Sequence, residues 1–143
     1  MSLTYGLAAK RAEYARNAVL SATPARLLTM LYDRLLLDLG RAEAAQLAAD
    51  WPVASENLVH AQAIVAELTS TLRTDVWDGA DNLKAIYAFS LNTMMDANIH
   101  RSAARTRECI DLLEPLRQAW HEAALAPVQG APLPMTGGTL GVG

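Results

Sequence analysis

The sequence holds one cysteine, Cys109, and one phenylalanine among 143 residues. A lone cysteine excludes an intramolecular disulfide framework and any four-thiolate zinc site. Charge is sparse and nearly balanced, with 12 basic against 15 acidic residues and a net charge of −3. A chain without a concentrated basic face is no candidate for nucleic-acid binding, because backbone phosphates demand one. Long apolar runs are missing too. Leu35-Leu36-Leu37 is cut by Asp38, far short of the roughly 18–20 residues that cross a bilayer. Lys10, Arg11, Glu13 and Arg16 have no apolar stretch behind them, so no signal peptide is expected and a cytoplasmic location is.

What is abundant is helical. The chain carries 27 Ala and 22 Leu against 7 Val and 4 Ile. Ala and Leu lose least on entering a helix, whereas strands favour β-branched and aromatic residues. At 15.4 kDa and 52% apolar, the chain has the material for one domain with a real core.

Residues 2–20 predict a short, weak helix with irregular apolar spacing. Thr23-Pro24 is a start signal, a side-chain acceptor followed by a residue with no N–H to satisfy. From Pro24 to about Ala49, Leu28, Leu31, Leu35, Leu39 and Ala42 form one stripe. Leu27, Met30 and Leu37 broaden that face beyond one seam. Asp50 caps a second helix to about Leu72, with Val53, Leu58, Ala61, Val65, Leu68 and Leu72 inward. After a link carrying Val76-Trp77, a third helix spans about Ala80–Arg101, with Leu83, Ile86, Tyr87, Leu91, Met94 and Ala97 inward. Ser102 caps a fourth to about Leu125, bearing Thr106, Cys109, Ile110, Leu113 and Trp120, with Pro115 expected to kink it. Residues 126–143 are uncharged and dense in Gly and Pro, and predict a disordered tail. The expected fold is all-α: an antiparallel four-helix bundle over residues 1–125, in which 1–20 is a cap segment.

Catalysis finds no support. None of His60, His100 and His121 has a Glu three residues before it, as di-iron bundles require, and Glu56–His60 reads as a solvated helix pair. Cys109 reads as a small buried hydrophobe with no neighbouring His. Tyr32, Tyr87 and Asn98 carry more. Taken singly, the tyrosines read as half-buried core residues with wet hydroxyls, and Asn98 as satisfying a helix end.

Several short motifs then fall in one order. Ser21-Ala22-Thr23-Pro24 is followed by Met30-Leu31-Tyr32-Asp33, then by Glu56-Asn57-Leu58 and Ala61-Gln62-Ala63-Ile64-Val65-Ala66-Glu67-Leu68. Ile86-Tyr87, Asp96-Ala97-Asn98-Ile99 and Leu116-Arg117-Gln118-Ala119-Trp120 complete the series, and Tyr14 lies ten residues before Pro24. This pattern, over about residues 14–124, resembles the FliS flagellar secretion chaperones. The chain departs from it at His60, where Lys is usual, at Arg34 in place of Gly, at Ala88-Phe89 and at Pro115.

The resemblance implies a non-catalytic cytosolic chaperone without cofactor or metal. Its implied client is the C-terminal segment of flagellin, kept unpolymerised and delivered to the flagellar type III export apparatus. Export-gate components and a flagellin regulatory protein are the further partners it implies. A disordered client folding onto a preformed helical surface is physically compatible with this. The candidate client contacts are Leu7, Tyr14, Leu27, Met30, Leu31, Tyr32, Ile64, Leu68, Tyr87 and Asn98. Leu7 and Tyr14 are expected to dock on the groove until the client displaces them. The expected oligomeric state is a monomer or weak homodimer, with no insertion into membranes. The rival reading is a non-catalytic scaffold whose broad apolar face forms a homodimer.

Overall fold

A computed structural model describes Gly6 and residues 9–13, 23–73 and 78–125. The expectations for Leu7, Tyr14, the Val76-Trp77 pair and the tail 126–143 lie outside these residues. Residues 9–13 are helical and, like Gly6, exposed.

Four long helices carry the fold: α1 (Pro24–Leu47), α2 (Trp51–Ser70), α3 (Gly79–Ile99) and α4 (Ala103–Leu125). Each neighbours the next in sequence, and α4 closes the square against α1. Partners across the α1–α4 seam run in opposite senses, with Arg117 on Asp33 and Arg107 on Glu43. The bundle is therefore antiparallel between neighbours, as short connections dictate.

The caps are the ones the sequence signals. Thr23 accepts a hydrogen bond from the Arg26 N–H (3.2 Å), Asp50 from Val53 (3.4 Å) and Ser102 from Arg105 (3.2 Å). Each satisfies a first-turn donor left free by helix geometry. At their other ends α1 and α3 finish alike. Ala49 (φ 58°) and Arg101 (φ 52°) adopt the left-handed conformation. The next residue's N–H then reaches back, Asp50 to the Ala45 carbonyl (2.8 Å) and Ser102 to that of Ala97 (2.9 Å). That is the Schellman closure, here made without the usual glycine. The two turns lie at one end of the bundle, where the Arg101 guanidinium stands 4.9 Å over the Trp51 ring.

The core follows the stripes, with one shift of phase. Tyr32, Leu35, Leu39, Ala42, Leu58, Ala61, Val65, Leu68, Leu83, Met94, Leu113 and Trp120 form one buried cluster. On α2 the buried rhythm is Ala54, Leu58, Ala61, Val65, Leu68, spaced four and three. Val53 is one position out of that rhythm, so it is 40% exposed and Ala54 takes its place. Leu72 lies past the end of α2 but still packs on the cluster. The α4 helix continues through Pro115, which forfeits a single backbone bond on an exposed position. Among the described residues, no helix is long and apolar enough to cross a membrane.

Asp38, which interrupts the leucine run, faces inward. Its carboxylate is wholly buried, held by Arg34 Nε one turn earlier (2.9 Å) and by His60 Nδ1 from α2. Further along α1, Thr106 of α4 donates to the Gln46 side-chain oxygen (2.6 Å). Gln46 in turn donates to the Ala97 carbonyl of α3 (3.2 Å). Buried polar groups cost stability unless paired, and these pairs fix which helix faces meet.

Candidate binding site at the open end of the bundle

The end opposite the two Schellman turns gathers the start of α1, the end of α2, the start of α3 and the end of α4. Their apolar side chains do not fill it. A cavity of about 260 Å³ remains, walled by Leu27, Leu28 and Leu31 of α1, Leu68 and Leu72 on the α2 side, and Leu83 of α3. Tyr87 and Trp120 also line it. Leu27 is 37% exposed, and Leu28, Leu31 and Leu72 are only partly buried, so the cavity mouth is mostly apolar, with Thr71 and Arg73 also at the lining.

Its floor is rigid. The Tyr32 and Tyr87 hydroxyls lie 2.6 Å apart, joined by one hydrogen bond across the bundle. Trp120 sits beside them, its ring centroid 6.5 Å from that of Tyr32. Both tyrosines are almost wholly buried, so the wet hydroxyls expected from sequence are instead dry and paired. Desolvation drives the Tyr32 phenol above its ordinary range, and hydrogen bonds with Tyr87 and Trp120 offset only part of that. The Tyr87 phenol is also pushed up, by desolvation first and then by its position against Tyr32.

Four of the sequence candidates therefore share this cavity: Leu27, Leu31, Leu68 and Tyr87. Tyr32 lies behind Tyr87 as its hydrogen-bond partner, and Ile64, 6% exposed, packs into the core one turn before Leu68. Met30 is half-buried and outside the cavity wall. Leu37, from the same broadened face, is 45% exposed and also stands apart from the cavity. Asn98 belongs to the other end. It donates to Ser55 Oγ (3.2 Å) in a separate, more polar hollow of about 570 Å³ with Gln46, Trp51, Ile99 and Arg101. Eleven helical residues separate it from Tyr87, about 16 Å along the axis.

Leu28, Leu72 and Leu83 were absent from the candidate contacts. They read as ordinary core positions, and only the unfilled bundle end gives them a surface. The pairing of Asp38 was likewise hidden. Arg34 and His60, two of the departures from the resemblance pattern, converge on this one carboxylate; the i,i+4 spacing of Arg34 allows its contact, whereas nothing in the sequence brings His60 to Asp38. His60 thus bonds across to α1, where the sequence reading had it in a solvated pair with Glu56.

The lone thiol is poorly set for chemistry. Cys109 is 2% exposed, and desolvation, then the nearby Glu108 charge, pushes its thiol up to about 12. Such a thiol is inert as a nucleophile. Among the described residues no three metal-binding side chains converge.

Residues 7–127 match the family described as Flagellar protein FliS. The chain belongs to the FliS family. It is 32% identical over 110 residues to the Flagellar secretion chaperone FliS of Bacillus subtilis (strain 168), covering 77% of this chain and 82% of that one. A solved structure described as a flagellar chaperone from bacteria superposes with a TM-score of 0.65 over 80% of this chain and 97% of its own. At 17% identity that likeness speaks to the fold alone. A FliS protein is a flagellar chaperone, a non-enzymatic role, and the all-helical bundle accords with it.

Proposed function

We propose that this FliS protein is a cytosolic export chaperone for flagellin. It takes up the C-terminal segment, keeps it from polymerising early, and supports its delivery to the flagellar export apparatus. The observation that carries this reading is the apolar cavity left open at one end of the bundle. A bundle gains by filling such a space, since each buried apolar side chain contributes about 1.5–3 kcal/mol. An unfilled one suits an amphipathic client helix laid in by its apolar face.

In this reading Leu27, Leu31, Leu68 and Tyr87 receive the client, Tyr32 and Ile64 hold those walls in place, and Met30 flanks them. Leu7 and Tyr14 occupy the mouth in the free protein and yield it to the client. Contact with Asn98 as well requires a client that runs the length of the bundle. A long contact is the economical design for a partner that must order as it binds. The unit that does this work is the bundle with its N-terminal segment, residues 1–125. Export-gate components and a flagellin regulatory protein are proposed as further partners of the loaded complex.

Calorimetric titration with a purified C-terminal flagellin segment from the same organism tests the reading. The expected result is 1:1 binding with a large negative heat-capacity change, the mark of apolar burial. Leu27→Asp, at a partly exposed position, is expected to weaken binding by about tenfold or more. No heat at two temperatures, together with a tight homodimer by mass, would overturn it in favour of a dimeric scaffold.

A further inference from the structure

We propose that the outer face shared by α2 and α3 is a self-association surface, on which a second copy of the chain seats as a weak two-fold dimer. Asn98 donates to Ser55 Oγ (3.2 Å) and so marks the side of each helix that meets the other. Helical steps along that side lead from Ser55 to Val59 and Ala66, and from Asn98 to Met95 and Ala88. Val59 is 55% and Met95 42% exposed, and both alanines are exposed. No charged residue stands in either row between these positions. The other three seams are each crossed by a carboxylate and a basic side chain: Asp38–His60, Asp33–Arg117 and Asp96–Arg105. Nothing of the kind joins α2 to α3 among the described residues.

The order of sizes along the rows identifies the occupant as a second copy. Each row offers one large side chain and one alanine. The midpoint of Val59 and Ala66 lies about 11 Å along α2 from Ser55, and that of Met95 and Ala88 about 10 Å along α3 from Asn98. One two-fold axis crossing both helices at that level therefore sets Val59 on Ala66 of the second copy and Met95 on its Ala88. Symmetry repeats both contacts, and large meets small at every one, as close packing requires. An axis parallel to the helices would instead set Val59 on Met95 and Ala66 on Ala88, crowding one level and leaving a gap at the other. Charge agrees with the crossing axis. Lys84 and Glu56 are exposed and have no ion pair among the described residues. Their midpoint also falls about 11 Å from the level of Ser55, so the same rotation brings Lys84 level with Glu56 of the second copy.

The size of the face sets the strength of the contact. Two helices each about 10–12 Å across, over the roughly 17 Å from Ser55 to Ala66, give a flat area of roughly 400 Å² per copy. A stable interface buries about 800 Å² per partner, so this dimer is transient and the free chain predominates in dilute solution. Because the axis crosses the helices midway, the open-end cavities of the two copies point in opposite directions and neither is covered. The contact therefore stands independently of the client reading of that cavity.

The test uses the full chain in two forms, Val59→Cys and Ala66→Cys, one of them isotope-labelled so that mass distinguishes the products. They are mixed in equal amounts at high concentration and oxidised. Cys109, buried and with its thiol pushed up to about 12, stays out of the reaction. Across the proposed axis position 59 faces position 66, whereas each position lies about 10 Å along the axis from its own copy, too far for a disulfide. The expected result is a mixed disulfide dimer in several-fold excess over the two like dimers together. Statistical proportions, or no disulfide dimer, overturn the proposal. Adding Met95→Asp to both forms is expected to cut the mixed product at least fivefold with helical circular dichroism unchanged, and an undiminished yield overturns the face. Lys84→Glu is expected to lower the yield and Glu56→Lys, added to it, to restore it; a yield indifferent to both overturns the orientation. If no cross-link forms and Met95→Asp weakens binding of the flagellin segment in the calorimeter, the proposal falls and the face belongs to the client. Failure of the unsubstituted chain to bind that segment overturns the client reading and leaves the cross-linking result to decide the dimer.

Discussion

The Tyr32–Tyr87 pair makes an asymmetric prediction. The two hydroxyls are 2.6 Å apart in a setting almost without water, and Tyr32 has a second partner in Trp120. Tyr32→Phe deletes a hydroxyl and strands both that of Tyr87 and the Trp120 indole N–H. A buried polar group left bare costs about 1–3 kcal/mol, so a loss near 3 kcal/mol is expected. Tyr87→Phe leaves Tyr32 still bonded to Trp120 and is expected to cost about 1 kcal/mol, the net worth of one hydrogen bond. The double variant strands no hydroxyl and leaves only the Trp120 indole N–H bare. It is expected to lose about 2 kcal/mol, a coupling near 2 kcal/mol relative to independent sites. Urea unfolding at 25 °C, followed by far-ultraviolet circular dichroism with an unchanged slope, measures all four corners. Additive losses would refute the argument, as would a larger loss for Tyr87→Phe than for Tyr32→Phe. The same pair sets alkaline stability. Both phenols are raised in the folded protein above their unfolded value near 10, so their contribution is complete below pH 10 and is lost above it. Each tyrosine steepens that loss by about 1.4 kcal/mol per pH unit, and the double Phe variant flattens it.

Other expectations are shorter. Gly40 lies mid-helix in α1 with open space where a Cβ would stand, so Gly40→Ala is expected to stabilise by about 1 kcal/mol in the same urea assay. Ala49 closes α1 in the left-handed region; Ala49→Gly relieves that strain and is expected to gain about 0.5–1 kcal/mol. Arg101→Gly gains less in thermal melts, because it also removes the guanidinium stacked on Trp51. At Asp33, burial raises the carboxyl pKa but hydrogen bonds from His121 and Arg117 outweigh it, and the net shift is downward. Its contribution is therefore present above the usual carboxyl range and lost as pH falls below about 4. The carboxylate is 45% exposed, so Asp33→Asn is expected to cost only about 0.5 kcal/mol at pH 7 while flattening the acid limb of a pH–stability curve.

The helices were legible because their signals are local. Thr23-Pro24, Asp50 and Ser102 act within one turn of themselves, and the inward-facing rhythm of α1 and α4 repeats at the helical period. The misread positions are those whose fate depends on a partner from another helix. Asp38 reads only as a break in an apolar run, until His60 of α2 is brought against it. Tyr32 and Tyr87 look half-wet, because no sequence rule places two hydroxyls 55 residues apart within one hydrogen bond. Val53 was misplaced by one residue, where Ala54, too small to stand out in a hydrophobic pattern, holds the buried phase.

The candidate site was half legible for a related reason. A motif such as Met30-Leu31-Tyr32 marks positions that matter without saying whether they matter to the core or to a partner. Geometry divides them by depth. Leu31 reaches the cavity, Tyr32 supports its floor from below, and Met30 flanks it. In the proposed function the supporting residues count as much as the lining ones. A cavity held open against collapse needs walls that do not relax inward, and close-packed cores relax only partly around a void. The buried Tyr32–Tyr87 bond, pinned from the side by Trp120, resists the inward movement that would close the space. That is a physical reason for tyrosine at these two sites where phenylalanine would pack as well: the hydroxyls hold the floor while the leucines above it stay free to take a guest.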